Sequence, residues 1–424
     1  MLDAVVIGAG HAGLAVSYRL REAGIEHVVL ERGEIGESWR SQRWDSFTLN
    51  TPNRMNRLPG ASPDGLDPDA FEGRDAWVAR LERYALDQQL PVRIRTTVTS
   101  VDRDGEDFVV SARDHAPIRA RNVIVASGMV NEPKVPAIAG SLDGRIGRLT
   151  TGAYRRPDQL RPGAVLVVGS AQSGCQIAEE LSDAGRSVYL ATGSVGRSPR
   201  RLRGRDALVW LSETGWLDQR PGDLPDPAMV RWAQPQISGV GPRGHTVSLQ
   251  SLATRGVTLL GRLERVEGTR LAFAGDLGEH VRFGDEVARL IRGHVDDHIA
   301  RSGIAAPPSE PDPADVTCDP RAFDPPSAID LLDRGITTVI FTTGFAADLS
   351  WLKLPVLDDR REPIHDEGRM RIDGLWLLGW AWLRRRKSGI IWGATEDSAH
   401  VADQVRARVQ GSAAAQTGIP GARR

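Results

Sequence analysis

The feature that most constrains this chain is a pair of glycine-rich turns, each set between an apolar run and a stretch of helical spacing. The first follows Ala4-Val5-Val6-Ile7, continuous apolar residues of the kind that form a strand buried on both faces of a parallel sheet. Gly8-Ala9-Gly10-His11-Ala12-Gly13 comes next, then a helical stretch over 14–23 that stops before Gly24, then a second buried strand, Val28-Val29-Leu30, closed by Glu31. Strand, turn, helix and strand fit in about 30 residues, the size of a nucleotide-binding βαβ unit. The same order returns further along the chain. A strand over 165–168 leads into Gly169-Ser170-Ala171-Gln172-Ser173-Gly174, a helix to about Ala184, and the strand Val188-Tyr189-Leu190. The expected fold is therefore α/β, with two Rossmann-like dinucleotide-binding domains in one polypeptide.

The residues within each turn say what it binds. Gly8 lets the first turn close, Gly10 lets the backbone approach a pyrophosphate, and Gly13 allows tight helix–sheet contact. The helix N-terminus adds free N–H groups and positive potential. Glu31, with Arg32 beside it, ends the second strand, where a carboxylate accepts hydrogen bonds from ribose hydroxyls and repels a 2′-phosphate. A solvated surface glutamate is the alternative. The second turn keeps Gly169 and Gly174, places Ala171 in the middle, and opens its helix with Gln172 and Ser173. At the position equivalent to Glu31 stands Thr192, followed by Arg197, Arg200 and Arg201. Loss of the acid plus nearby guanidinium groups suits a 2′-phosphate. Every basic residue except Lys134, Lys353 and Lys387 is arginine, so these three also read as a solvated face. Together the two sites imply FAD at the first and NADPH at the second, with electrons passing from NADPH to FAD.

Strands ending in small residues and glycine, at 123–128 and 339–344, mark where the chain would cross between domains. The NADPH domain is thus expected as an insertion in the FAD domain. Residues 1–155 form the first part of the FAD-binding domain, 156–330 the NADPH-binding domain with a substrate-side insertion, and 331–410 the second part of the FAD domain; 411–424 reads as a disordered tail. A hairpin over 92–112 turns at Asp104-Gly105, helices are expected over 77–86 and 287–302, and loops rich in Pro and Gly over 220–227 and 305–326. The stretch 202–250 carries Trp210, Trp216 and Trp232, as an aromatic wall or as core.

A length of 424 residues allows two or three domains, and 54 Lys and Arg against 55 Asp and Glu leave a net charge of −1. That balance argues against nucleic-acid or membrane-surface partners. Cys175 and Cys318 lie far apart and outside any CxxC, which excludes a disulfide framework, a structural zinc and a redox-active pair. The thiols read as reduced, and the protein as cytoplasmic. An apolar run starting at Ala4 leaves no room for a targeting segment, and the late run over 375–383 is far shorter than the roughly 20 residues that span a bilayer. The nine histidines form no metal cluster or Ser/His/Asp set, so no metal is expected; His245, His294 and His298 read as structural or solvent-facing.

Further segments carry a family resemblance: Ile35-Gly36-Glu37-Ser38-Trp39-Arg40, then Ser46-Phe47-Thr48-Leu49-Asn50-Thr51-Pro52-Asn53-Arg54-Met55, and a late Thr343-Gly344-Phe345. With the two turns at this separation, the chain resembles the flavin-containing monooxygenases and their bacterial class B relatives over nearly its whole length. The resemblance implies that Trp39 and Arg40 lie along FAD and that Asn50 sits by the isoalloxazine, helping to retain NADP⁺ and an oxygenated flavin. A C4a-hydroperoxyflavin needs fixed neutral partners and a dry pocket, although Asn-Thr-Pro-Asn is also turn chemistry. It implies too that Ser388-Gly389 opens a helix aimed at the flavin's pyrimidine edge. The run Arg384 to Lys387 before it reads first as solvated. One departure stands out. The family's linker signature between the nucleotide folds should cover Gly144 to Arg155, where Tyr154 and Arg155 fit but Gly144, Ile146 and Thr150 replace its Phe, Gly and His.

The function the resemblance implies is an NADPH-using, FAD-dependent monooxygenase that takes O₂ and a small molecule and oxygenates a soft nitrogen or sulfur nucleophile. Baeyer–Villiger oxygenation, an NADPH oxidase or flavin reductase, and a flavin redox sensor without turnover are the alternatives. The substrate is not read from the sequence, nor is the oligomeric state, for which a homodimer is one option.

Overall fold

The computed structural model describes residues 1–62, 65–316 and 323–417. Each glycine turn sits at the carboxyl end of a strand with parallel neighbours on both sides, the first in a mixed nine-stranded sheet and the second in a parallel five-stranded one. In the first, Leu2–Ile7 lies between His27–Leu30 and Ile118–Val125, paired in parallel with both, and Leu375–Leu377 extends the sheet beyond Ile118–Val125. The strand Leu2–Ile7 buries its last four residues, as the apolar run requires, and His27–Leu30 is buried throughout. The expected hairpin is present as Val98–Asp104 and Asp107–Ala112, antiparallel to each other, its second strand antiparallel to Ile118–Val125. Gly105 takes the turn with φ of 65°.

The second sheet has five parallel strands in the order Thr258–Leu260, Val188–Ala191, Ala164–Val168, Ile336–Phe341, Gly147–Thr150. Two expected boundaries move as a result. Gly147–Thr150 belongs to the second unit, ahead of residue 156, and Ile336–Phe341 keeps the chain in that unit beyond 330. A strand joins the sheet whose hydrogen-bond edge it completes, and no motif between the units shows which edge that is. Within the inserted unit, residues from 202–217 pack on the helix Leu277–Ser302 around a small core of Leu202, Ala207, Trp210, Leu211, Leu217, Ile291 and Val295.

Helix Arg74–Asp87 contains the expected 77–86, and Leu277–Ser302 extends the expected 287–302 toward its N-terminus before Gly303, at φ of 62°, ends it. The last helix, Ile391–Thr417, continues past 411, where disorder was expected: a run of Ala and Gln after Gly411 sustains helical hydrogen bonding once the helix is under way. Residues 418–424 and Cys318 lie outside the described residues. No described helix is long and apolar enough to cross a membrane.

Candidate functional site

The helix His11–Glu22 starts from Gly10 in an extended conformation with no side-chain cap, so its first N–H groups are left for another acceptor. A Cβ at Gly10 would meet nothing within 4 Å, which means the face of the turn is open. A Cβ at Gly13 would fall 1.9 Å from the Gly8 carbonyl oxygen, so only glycine lets helix and strand close so tightly. Beneath the turn, Glu31 is 6 % exposed and its carboxylate accepts from Ala9 N at 2.7 Å and Gly33 N at 2.9 Å. Burial raises its carboxyl above the usual range, opposed by those two N–H donors. A cleft leads from this turn past Arg32, Ser38 and Thr96 to Ser127, Asp348 and Gly379, so both sequence-distant parts of the first unit line it. Uncapped N–H groups, an open glycine face and a fixed carboxylate at the second strand fit an adenine dinucleotide.

The second turn repeats the geometry. Gly169 has φ of 107°, a Cβ at Gly174 would lie 1.9 Å from the Gly169 carbonyl oxygen, and Ala171 leads the helix Gln172–Asp183 without a side-chain cap. Gln172, expected on the cofactor, pairs with main chain instead: its Oε1 accepts from Ile237 N at 2.8 Å and its Nε2 donates to the Ile237 carbonyl. Gln236 Nε2 donates to the Ser170 carbonyl beside it. The segment 236–239 therefore straps the second turn, and Gly239 seats it against the Leu49 main chain, where a Cβ would meet the carbonyl oxygen at 2.1 Å.

Two of the three arginines expected on a 2′-phosphate are committed elsewhere. Arg197, 5 % exposed, bridges Asp285 at 2.9 Å and Asp315 at 2.6 Å. Arg200, 1 % exposed, is paired with Asp206, which is equally buried. A guanidinium taken this far from water needs a carboxylate; Asp285 and Asp315 are too distant in sequence to have been assigned, whereas Asp206 stands only six residues after Arg200. Arg197 and Arg201 each keep a buried Nη1 without a partner among the described residues, and Arg201, which donates through Nη2 to the Gly204 carbonyl, is the one of the three with no carboxylate partner among them. Thr192 is buried, donating to the Leu260 carbonyl at 2.7 Å and contacting His280 Nδ1 at 2.9 Å.

Asn50 lies where the two units meet. Gln176 Nε2, on the helix of the second turn, donates to Asn50 Oδ1 at 3.0 Å, and Arg200 Nη1 donates to the Asn50 carbonyl at 2.9 Å. Trp39 joins an aromatic group with His11, Phe47 and Trp77, ring centroids 6.0 to 6.4 Å away. Neither Trp39 nor Arg40 is among the residues that line the cleft, and Arg40, on the same short helix, pairs with Glu82 at 2.7 Å in the open. Thr343 Oγ1 donates to the Lys134 carbonyl, and the buried Ser388 Oγ accepts from Arg384 N and Arg385 N at 3.1 and 3.0 Å. Both hydroxyls thus brace loops, and Gly344 and Gly389 occupy turn positions beside them. Tyr154 and Arg155 of the degenerate linker are anchored, the phenol on Glu180 at 2.7 Å and the guanidinium on the Ser41 carbonyl at 2.6 Å.

Sequence reasoning passed over His11 and Arg43. His11 lines the cleft against Trp39, and burial lowers its pKa to about 4, so the ring is neutral. Arg43 stacks within 5.4 Å of the Trp39 and Phe47 rings, and burial lowers its pKa to about 10. The wildcard position of the turn motif gave no cue to His11. No described group of His, Cys, Asp and Glu is arranged to hold a metal ion.

The profile of a pyridine nucleotide-disulphide oxidoreductase family matches residues 5–213. An uncharacterized CzcO-like oxidoreductase of Geobacillus kaustophilus is 30% identical over 409 residues, which cover 96% of this chain and 98% of that one. The indole-3-pyruvate monooxygenase YUCCA1 of Oryza sativa subsp. japonica is 27% identical over 293 residues, covering 66% of this chain and 71% of that one. Among solved structures, a flavin-containing monooxygenase from Stenotrophomonas maltophilia superposes with a TM-score of 0.66 at 22% identity, over 96% of this chain and 99% of that one.

Proposed function

The chain belongs with the CzcO-like oxidoreductases, and we propose that it is a flavin monooxygenase, FAD-dependent, that draws on NADPH and oxygenates a soft nitrogen or sulfur nucleophile of a small molecule. The observation that carries this reading is that Asn50 is held from the second unit by Gln176, on the helix that follows the second glycine turn, and by Arg200.

The residues divide the work. The N–H groups at the start of His11–Glu22 would hold the pyrophosphate of FAD, and Glu31 would take the ribose hydroxyls. The turn from Gly169 to Gly174 would hold NADPH in the same way, with Arg201 left to meet the 2′-phosphate. FAD supplies hydride-accepting and dioxygen-activating chemistry when bound. Asn50, its Oδ1 already engaged by Gln176, presents its Nδ2 hydrogens as fixed neutral donors. Trp39, Phe47 and Trp77 form an apolar group behind His11, which itself lines the cleft. A disulfide reductase needs a reactive thiol pair. Cys175 is buried, its Sγ donates to the Ser170 carbonyl at 3.2 Å, and burial pushes its thiol up, away from the reactive thiolate.

The test is coupling. With FAD-loaded protein, NADPH and methyl phenyl sulfide under air, the reading expects sulfoxide in step with NADPH loss. NADPH loss that appears only as hydrogen peroxide, across sulfide and amine substrates alike, would assign the chain to the oxidases.

A further inference from the structure

A second cavity, of about 710 Å³, opens between residues 229–235 of the insertion and the helix Leu277–Ser302, and it shares no lining residue with the cleft at the first turn. Its walls are Trp216, Trp232, Phe283 and Ile291, with Trp232 and Phe283 set edge to face at 6.2 Å. No carboxylate lines it. Five polar side chains line it: Ser194, Arg231, Gln234, His294 and Arg386. His294 Nε2 is buried without a partner among the described residues, and Arg386 stands at the wall.

Arg386 differs from its neighbours. Arg384 bridges Glu367 and Asp397, Arg385 bridges Asp218 and Glu396, and Lys387 bridges Asp218 and Glu396. Arg386 has no carboxylate partner among the described residues. Its Nε and Nη2 share the neutral Gln219 Oε1 at 3.2 and 2.9 Å, and the guanidinium lies between the Trp216 and Trp382 rings, 4.0 and 4.6 Å from their centroids. Burial lowers its pKa to about 10, which leaves it a cation at neutral pH. A partly desolvated cation without a counter-ion is costly, and in an acid-free aromatic chamber the group that offsets this is an anion on a flat apolar body.

We infer that this chamber binds an aromatic carboxylate, its carboxylate on Arg386 with His294 in reach and its ring between Trp232, Phe283 and Ile291. Arg386 is the half-buried guanidinium that faces the carboxylate, while Arg231 lines the chamber from an exposed position. Ser194 and Gly196, just past a strand of the second unit, also line the chamber, so the adenosine phosphate of a dinucleotide is the competing source of an anion on an aromatic body.

Calorimetric titration of the FAD-loaded full chain without NADPH tests the inference, with naphthoate as probe and naphthamide as its neutral counterpart. Naphthoate is expected to bind saturably and naphthamide about tenfold more weakly or less. Arg386→Gln is expected to weaken naphthoate by about tenfold and Arg386→Lys by less, at unchanged FAD content. Trp232→Ala, at a position 53 % exposed and so without consequence for folding, is expected to weaken both probes alike. Absence of saturable naphthoate binding, equal affinity for the amide, or indifference to both substitutions would overturn the inference. So would displacement of naphthoate by adenosine 2′,5′-bisphosphate, which would give the chamber to the nucleotide.

Discussion

Arg200 donates through Nη1 to the main-chain carbonyl of Asn50 at 2.9 Å, joining the second nucleotide unit to the first. The same guanidinium is paired with Asp206, donates to the Ser238 carbonyl at 3.2 Å and lies 4.3 Å from the centre of the Phe71 ring. It ties the Asn50 segment, the strap and the insertion to one point. Removing it strands a buried carboxylate, so Arg200→Ala is expected to cost about 3–5 kcal/mol. Arg200→Ala with Asp206→Ala should recover part of that loss in thermal unfolding. A stable Arg200→Ala protein with only a raised KM for NADPH would return this arginine to the phosphate.

The two glycine turns should be separable by mutation. A methyl at Gly174 meets the backbone oxygen of Gly169, which no side-chain rotation relieves. Gly174→Ala is expected to keep full FAD content and lose NADPH-driven reduction by about tenfold or more. Gly13→Ala, with the same clash in the first unit, is expected to purify without FAD. Equal FAD loss in both proteins would contradict the assignment of one nucleotide to each turn.

His11 gives the fold a dependence on acid. Its folded pKa of about 4 lies below the ordinary 6.5, so as pH falls the unfolded chain takes the proton first. The stability it contributes is complete above 6.5 and is lost as pH falls toward 4. His11→Gln should therefore lose less melting temperature than the parent between about pH 7.5 and about pH 5. Parallel losses would show that the ring titrates freely.

The opposite sign holds at His245, whose Nε2 lies 2.9 Å from both Glu179 oxygens and ties the insertion to the helix of the second turn. The Glu179 hydrogen bond raises its pKa. This tie is fully present below the ordinary 6.5 and is lost as pH rises through the raised folded value. Being partly exposed, it contributes at most about 1 kcal/mol. Proteolysis of the insertion is expected to speed up at alkaline pH in the parent and to be pH-independent in His245→Gln.

The glycine turns were legible because a missing Cβ is a local requirement: Gly8, Gly13, Gly169 and Gly174 can be read from spacing alone. Glu31 was legible for the same reason, since the strand before it fixes where it ends. Arg197, Arg200 and Arg40 were not. Whether a guanidinium serves a ligand or a carboxylate depends on partners such as Asp285, Asp315 and Glu82, which only the folded chain brings near. Trp210 and Trp232 show the same limit: equal in sequence, one is 1 % exposed in the core of the insertion and the other 53 % exposed at a cavity.

The most direct test of the whole account is to mix the purified chain anaerobically with NADPH and follow the visible absorbance of its flavin. The account expects a yellow protein holding one FAD per chain that NADPH bleaches, with colour returning on admission of air. A colourless protein that takes up no FAD on reconstitution, or bound flavin that NADPH leaves oxidised, would contradict it.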